Sequence, residues 1–173
     1  MYHGKKQDVL EEFFRRPRHK FQLRELSRKS DVSTPSVKNY LQELKQENLV
    51  EAVEEGVYEG YRAKLSEEFK LQKKLYNIEK IHETDLLKEI ENKCVPDAVV
   101  LFGSAAEGED IEESDIDLLV ISGEKDLDLE DYEQKLNREI NITFMSEKEL
   151  KQNKEFANNV ANGTVLSGYL VIK

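Results

Sequence analysis

The residues best suited to chemistry lie in the second half of the 173-residue chain: Gly103-Ser104, then ten residues, then Asp115-Ile116-Asp117. A strand's two-residue period puts Asp115 and Asp117 on one face and turns Ile116 and Leu118 toward the other, the core side. Two adjacent carboxylates repel unless a divalent cation neutralises them, so the pair is a candidate Mg2+ or Mn2+ site. Gly103 allows close backbone approach, and the Ser104 hydroxyl with neighbouring amides suits a triphosphate. Phosphoryl and nucleotidyl transfer rest on positioning and charge neutralisation more than on covalent catalysis. Metal ions clamp the attacking and leaving oxygens of such a displacement. Asp115 and Asp117 are therefore the candidate catalytic and metal-binding residues, and Gly103 and Ser104 the candidate nucleotide-binding ones. Alone, Asp-x-Asp would read as a solvated strand end; a Gly-Ser turn at this distance, with apolar runs on both sides, argues against that.

Those apolar runs predict the elements that position the site. Ala98–Phe102 is a short continuous apolar run, as in a buried strand, and it leads directly into Gly103. Ile116–Ile121 is a second such run. A helix over Leu129–Asn137, with Tyr132 and Leu136 inward, would cross to a third strand over Glu139–Phe144. Ser146-Glu147-Lys148-Glu149 is a capping box that opens another helix, and Gly168–Ile172 reads as a final strand.

Leu101-Phe102-Gly103-Ser104, ten residues, then Asp115-Ile116-Asp117-Leu118-Leu119-Val120 resembles the minimal nucleotidyltransferase branch of the DNA-polymerase-β superfamily. The resemblance implies an NTP as substrate or ligand, Mg2+ or Mn2+ on Asp115 and Asp117, and a triphosphate held near Ser104. It also implies a third acid on a following strand, as general base or metal ligand. Asn141 stands at that position and is the third candidate catalytic residue; its carbonyl can hold a metal or a water, but it cannot accept a proton. Glu139, two residues earlier on the same face, is the alternative. Glu107 stands where relatives commonly carry Arg or Lys, and it would oppose a phosphate.

Composition bounds the rest. A 38% hydrophobic and 36% charged chain with net charge −10 describes a charged globular protein. No apolar run approaches the roughly 18 residues of a membrane span, and Met1–Leu10 lacks the apolar stretch of a signal peptide. The single cysteine, Cys94, excludes an intramolecular disulfide, reads as a small buried filler and fits a reducing cytoplasm. Charge is unevenly spread: residues 1–90 carry 18 Lys/Arg against 17 Asp/Glu, whereas residues 91–173 carry 8 against 19. Such asymmetry predicts two modules with different partners.

The front half reads as a helix-turn-helix with a wing. Val9, Leu10, Phe13 and Phe14 fall at helical spacing over Lys5–Arg16, and Pro17 stops that helix. Leu23–Lys29 predicts a second helix. Asp31–Ser33 is a tight turn, and Thr34-Pro35 reads as N-cap and first residue of a third helix extending to about Glu47. Val37, Leu41 and Leu44 share its inner face. Val50–Leu65, with Gly56 and Gly60, suits two short strands.

This pattern resembles the winged helices of many bacterial and archaeal regulators. The resemblance implies a third helix in the major groove of double-stranded DNA, with Thr34, Ser36, Lys38 and Asn39 at base edges. Arg15, Arg16, Arg18 and Lys20 are candidates for phosphates. Residues 5–40 carry ten Lys/Arg against five Asp/Glu, the sign DNA requires. The competing reading is a solvated face used for protein contacts or dimerisation, favoured by Glu51, Glu54, Glu55 and Glu59 in the wing.

Between the halves, Ser66 opens a helical stretch with Phe69, Leu75, Ile78 and Ile81 as its stripe, and Thr84 reads as N-cap of a helix over Asp85–Lys93 that Pro96 ends. The expected organisation is α+β: a winged helix over 1–65, connector helices over 66–95, and a nucleotidyltransferase-like domain with a mixed sheet over 96–173. Nearly the whole chain resembles a group of prokaryotic regulator-like proteins that fuse these modules. The fusion implies NMP transfer from an NTP to a protein or small-molecule hydroxyl, coupled to DNA binding. Its alternative is a transcriptional regulator whose nucleotidyltransferase fold senses a nucleotide or is inactive. A homodimer would match a palindromic operator, and no membrane partner is expected.

Overall fold

Apolar spacing shapes the first elements. Helix α1 (Lys5–Arg15) buries Val9, Leu10, Phe13 and Phe14, and ends where Pro17 denies Arg16 the helical conformation (φ −137°, ψ 69°). Helices α2 (Leu23–Lys29) and α3 (Thr34–Gln46) follow, and α3 turns Val37, Leu41 and Leu44 inward. The N-cap of α3 is Ser33, one residue before the expected Thr34. The Ser33 Oγ accepts from the Ser36 N–H at 3.4 Å, while the Thr34 hydroxyl donates to Ser27 Oγ. Strands β1 (Val50–Glu55) and β2 (Tyr58–Ala63) pair antiparallel. Phe21 joins β2 through paired backbone hydrogen bonds of 2.8 Å with Tyr61. Its ring packs edge-on against Phe13 at 5.1 Å.

A computed structural model describes residues 4–55 and 58–171 of the chain, so Met1–His3, Gly56 of the expected turn and Ile172 of the expected last strand fall outside the described residues. The chain divides into two compact units, Met1–Lys73 and Lys74–Lys173, with the boundary inside helix α4 (Glu67–Glu83). Within the first unit, Phe69 of α4 lies 5.2 Å from Phe14. The expected apolar stripe of α4 needs correction: Leu75 is 57% exposed, whereas Phe69, Lys73, Asn77 and Ile81 are buried at four-residue spacing. Two polar residues occupy the inner face of α4, which is why its apolar spacing misled.

In the second unit, α5 (Leu86–Cys94) starts after Asp85, which takes a left-handed conformation at the cap position expected for Thr84. The Thr84 hydroxyl still links the two helices, donating to the Ile81 carbonyl and accepting from the Leu86 N–H. Cys94 is buried, and burial pushes its thiol pKa up.

A four-stranded mixed sheet follows, built from β3 (Ala98–Phe102), β4 (Ile116–Ile121), β5 (Ile140–Met145) and β6 (Thr164–Gly168), in the order β5-β4-β3-β6. Strand β3 runs antiparallel to both neighbours, and β4 and β5 are parallel. Short helix α6 (Gly103–Glu107) lies between β3 and β4, and α7 (Glu130–Leu136) forms the crossover that a parallel pair requires. Tyr132 and Leu136 pack from α7 against the core, as expected.

The sheet is covered on both faces. Val99, Leu101, Ile116, Leu118 and Val120 pack with α5 and the end of α4. Ala98, Val100, Leu119 and Ile121 pack with α8 (Glu147–Gln152) and α9 (Lys154–Ala161). Ser146 and Glu149 form the expected capping box of α8. The last strand lies earlier than Gly168–Ile172. Gly168 ends β6 at φ +74°, with its Cα face against the Asp97 carbonyl, and Tyr169 beyond it is 86% exposed.

Candidate active site

Alternation along β4 settles the direction of its acids. Ile116, Leu118 and Val120 enter the core with α5, so Asp117 projects from the opposite face, the one bearing α8 and α9 farther along the sheet. Asp115, immediately before β4, and Asp117 are both half-buried. In the antiparallel pair Asp117 faces Phe102, the last residue of β3, and in the parallel pair it faces Asn141 of β5. The four-strand register thus brings together residues separated by up to 38 positions without any loop having to fold over them.

Asn141 ties the acids together. Its Nδ2 donates to Asp115 Oδ2 at 2.9 Å and, at 3.5 Å, reaches Asp117 Oδ1. One amide therefore reaches an oxygen of each carboxylate. Gly103 supplies the floor. It sits at φ +69°, and a Cβ there would meet Asp117 Oδ2 at 2.8 Å, so a side chain would push that carboxylate away. Ser104, half-buried, follows in the first turn of α6. All five candidate residues of this site (Gly103, Ser104, Asp115, Asp117 and Asn141) lie at one end of strands β3, β4 and β5. Glu107 is the exposed last residue of α6, and Glu139 is exposed just before β5.

The donor set suits a hard cation. Two carboxylates and one amide carbonyl are oxygen ligands of the kind Mg2+ and Mn2+ accept. Among the described residues no cluster of three or more His, Cys, Asp or Glu side chains is gathered as a metal site.

The match to known sequences falls on the same elements: residues 79–169 match the family described as "Polymerase beta, Nucleotidyltransferase". The chain belongs to this nucleotidyltransferase family. The matched stretch begins in α4 and runs through all four strands of the mixed sheet to Tyr169. No curated protein shows a detectable match to the sequence. Among the described residues no helix is long and apolar enough to cross a membrane.

One feature of this nucleotidyltransferase unit escaped sequence reasoning. Asp110 is 3% exposed and pairs with Arg138 at 2.6 Å, although the two are 28 positions apart in sequence. Buried carboxylates are rare unless paired, but nothing local in Glu109-Asp110-Ile111 marks this one among so many acids.

The candidate DNA-contacting residues lie in the other unit. Lys38 and Asn39 are exposed on α3. Ser36 Oγ is 2.8 Å from Ser33 Oγ, so both small hydroxyls, like that of Thr34, are engaged within the turn. Arg15 pairs with Glu11 and Glu12, Arg16 with His19, and the Lys20 stem lies over Gly60, while Arg18 is exposed. A concavity lined by Gln22, Arg24, Glu25, Ser27, Arg28, Lys29 and Thr34, three cations and one acid, opens between α2 and the start of α3.

Proposed function

We propose that the C-terminal unit is a Mg2+- or Mn2+-dependent nucleotide site that transfers an NMP from an NTP to an acceptor hydroxyl. The observation that carries this reading is the convergence of Asp115 and Asp117 on one amide, above a glycine that leaves them room. Asp115 and Asp117 would hold the metal, with the Asn141 carbonyl free to turn toward it, while Ser104 and the first amides of α6 would hold the triphosphate. The metal supplies charge neutralisation at the transferring phosphorus. With Asn141 in place of an acid, proton removal from the acceptor would fall to Glu139 or to solvent. Incubation of the protein with each NTP, Mn2+ and candidate acceptors should release pyrophosphate, and an Asp115→Ala/Asp117→Ala variant should not.

Two observations favour a second reading, in which the site only senses a nucleotide. Asn141 cannot act as a base, and Glu107 adds negative charge to the helix that follows Gly103. Metal-dependent nucleotide binding with no pyrophosphate from any acceptor would select that reading.

The N-terminal unit, on this proposal, is a winged helix-turn-helix that binds double-stranded DNA in the cytoplasm and delivers the second unit's signal or activity to a promoter. Its helix order, the β1–β2 hairpin joined to Phe21, and exposed Lys38 and Asn39 support this. Glu51 is offset by Arg62 at 2.9 Å, although Glu54 and Glu59 leave the hairpin acidic near its tip. Genomic duplex fragments should be retained at low salt and released as salt rises from about 50 to 200 mM. An Arg24→Ala/Arg28→Ala/Lys38→Ala variant should bind markedly less. Absence of retention at low salt would leave protein contacts as the role of this unit.

A further inference from the structure

Arg138 makes several contacts to the segment between α6 and β4. Arg138, in the link before β5, spends its guanidinium on three partners in that segment. Its Nε donates to the Ser114 carbonyl at 2.6 Å, its Nη2 to the Asp115 carbonyl at 2.9 Å, and its Nη1 to Asp110 Oδ2 at 2.6 Å. Asp110 is fixed in turn by Asn77 of α4, whose Nδ2 donates to Asp110 Oδ1 at 2.8 Å and to the Ala105 carbonyl at 3.0 Å. The Asp110 side chain is 3% exposed and that of Arg138 13%, so the network is largely shielded from solvent. A planar guanidinium spreads its donors over three nitrogens in a fixed fork and so bridges a carboxylate and two carbonyls, whereas an ammonium gathers its three donors on one nitrogen.

We propose that Arg138, seated by Asp110 and Asn77, is the positioning residue of Asp115: it fixes the backbone from which the first carboxylate of the pair projects. The inference rests on the nucleotide reading above. Arg138 touches no reacting group itself. It holds the Asp115 carbonyl, leaving the Asp115 side chain to meet Asn141 and a cation. Residues that orient a metal ligand from behind commonly change metal affinity by about 10–100-fold when altered. The pin joins the segment before β4 to the link before β5, so Asp115 and Asn141 keep their mutual distance even though Asp115 lies outside the ladder.

Two variants separate positioning from folding. Arg138→Lys keeps a cation beside the buried Asp110 but loses the fork. The Arg138→Gln/Asp110→Asn pair removes both buried charges together, so neither is left unpaired. Mn2+ with each NTP is titrated into the full-length protein, and amide exchange is followed at Ile111 and Ser114, whose N–H groups bond within the segment. We expect both variants to melt within a few degrees of wild type, to bind Mn2+–NTP about tenfold more weakly, and to exchange those amides faster. Wild-type affinity and wild-type exchange in both variants would overturn the positioning role. A wild type that binds no Mn2+–NTP would instead overturn the nucleotide reading; the exchange data would then still show whether Arg138 holds the segment, and unchanged exchange would refute the pin independently.

Discussion

Asn141→Asp is expected to raise the affinity of the protein for Mn2+ by about one to two orders of magnitude, because cation affinity follows the charge count of the oxygen ligands. The wild-type amide donates to Asp115 and Asp117, quieting two like charges in the absence of metal. An aspartate at position 141 removes that donor and adds a third negative charge directly opposite Asp117 in the β4–β5 register. Crowded carboxylates have raised pKa values in the folded state, so they favour the folded protein when protonated and destabilise it as pH rises. The metal-free variant should therefore melt below wild type at neutral pH, and recover on acidification or on addition of Mn2+. If Asn141 is what limits transfer, pyrophosphate release should also increase. An unchanged metal affinity would mean that position 141 does not face the cation.

Gly103→Ala is the second large effect, and it acts on fold and site together. A non-glycine residue at φ +69° costs about 1–2 kcal/mol. For a unit of about 100 residues, each kcal/mol lowers the melting midpoint by roughly 4–8 °C. The new Cβ would lie 2.8 Å from Asp117 Oδ2, and the cheapest relief is rotation of that carboxylate away from Asp115. Mn2+–NTP binding should then fall about tenfold or more. Gly123→Ala, where a Cβ would meet nothing within 4 Å, is the matched control and should leave both quantities unchanged.

Much of this site was legible because it is built from local signals. Ala98–Phe102 and Ile116–Ile121 are bounded apolar runs, and both became strands over those same residues. The two-residue period sufficed to put Asp115 and Asp117 on one face, whereas Asn141 was singled out by the family resemblance, at the position of the implied third acid. What Gly103 is for was only half legible: its spacing suggested room for a ligand, whereas its Cβ position is taken by Asp117.

Other features depend on contacts between residues far apart in sequence. Lys73 and Asn77 occupy the inner face of α4, so the apolar residues of that helix misreport which face is buried, and Leu75 is left exposed. The end of β6 is set by Gly168 against the Asp97 carbonyl, a backbone approach across 71 positions that no local pattern records. Asp110 looks like an ordinary member of a charged chain until the fold buries it against Arg138. In each case a polar residue or a backbone group does what periodicity assigns to apolar side chains.

On the proposed function, Asp115 and Asp117 form a working metal–nucleotide site. Calorimetric titration of each NTP with Mn2+ into wild type and into Asp115→Ala/Asp117→Ala tests it most directly, with melting curves to establish that the variant is folded. Metal-dependent binding by wild type that disappears in the folded variant is the predicted result. Absence of binding to wild type, or equal binding by the variant, would contradict it.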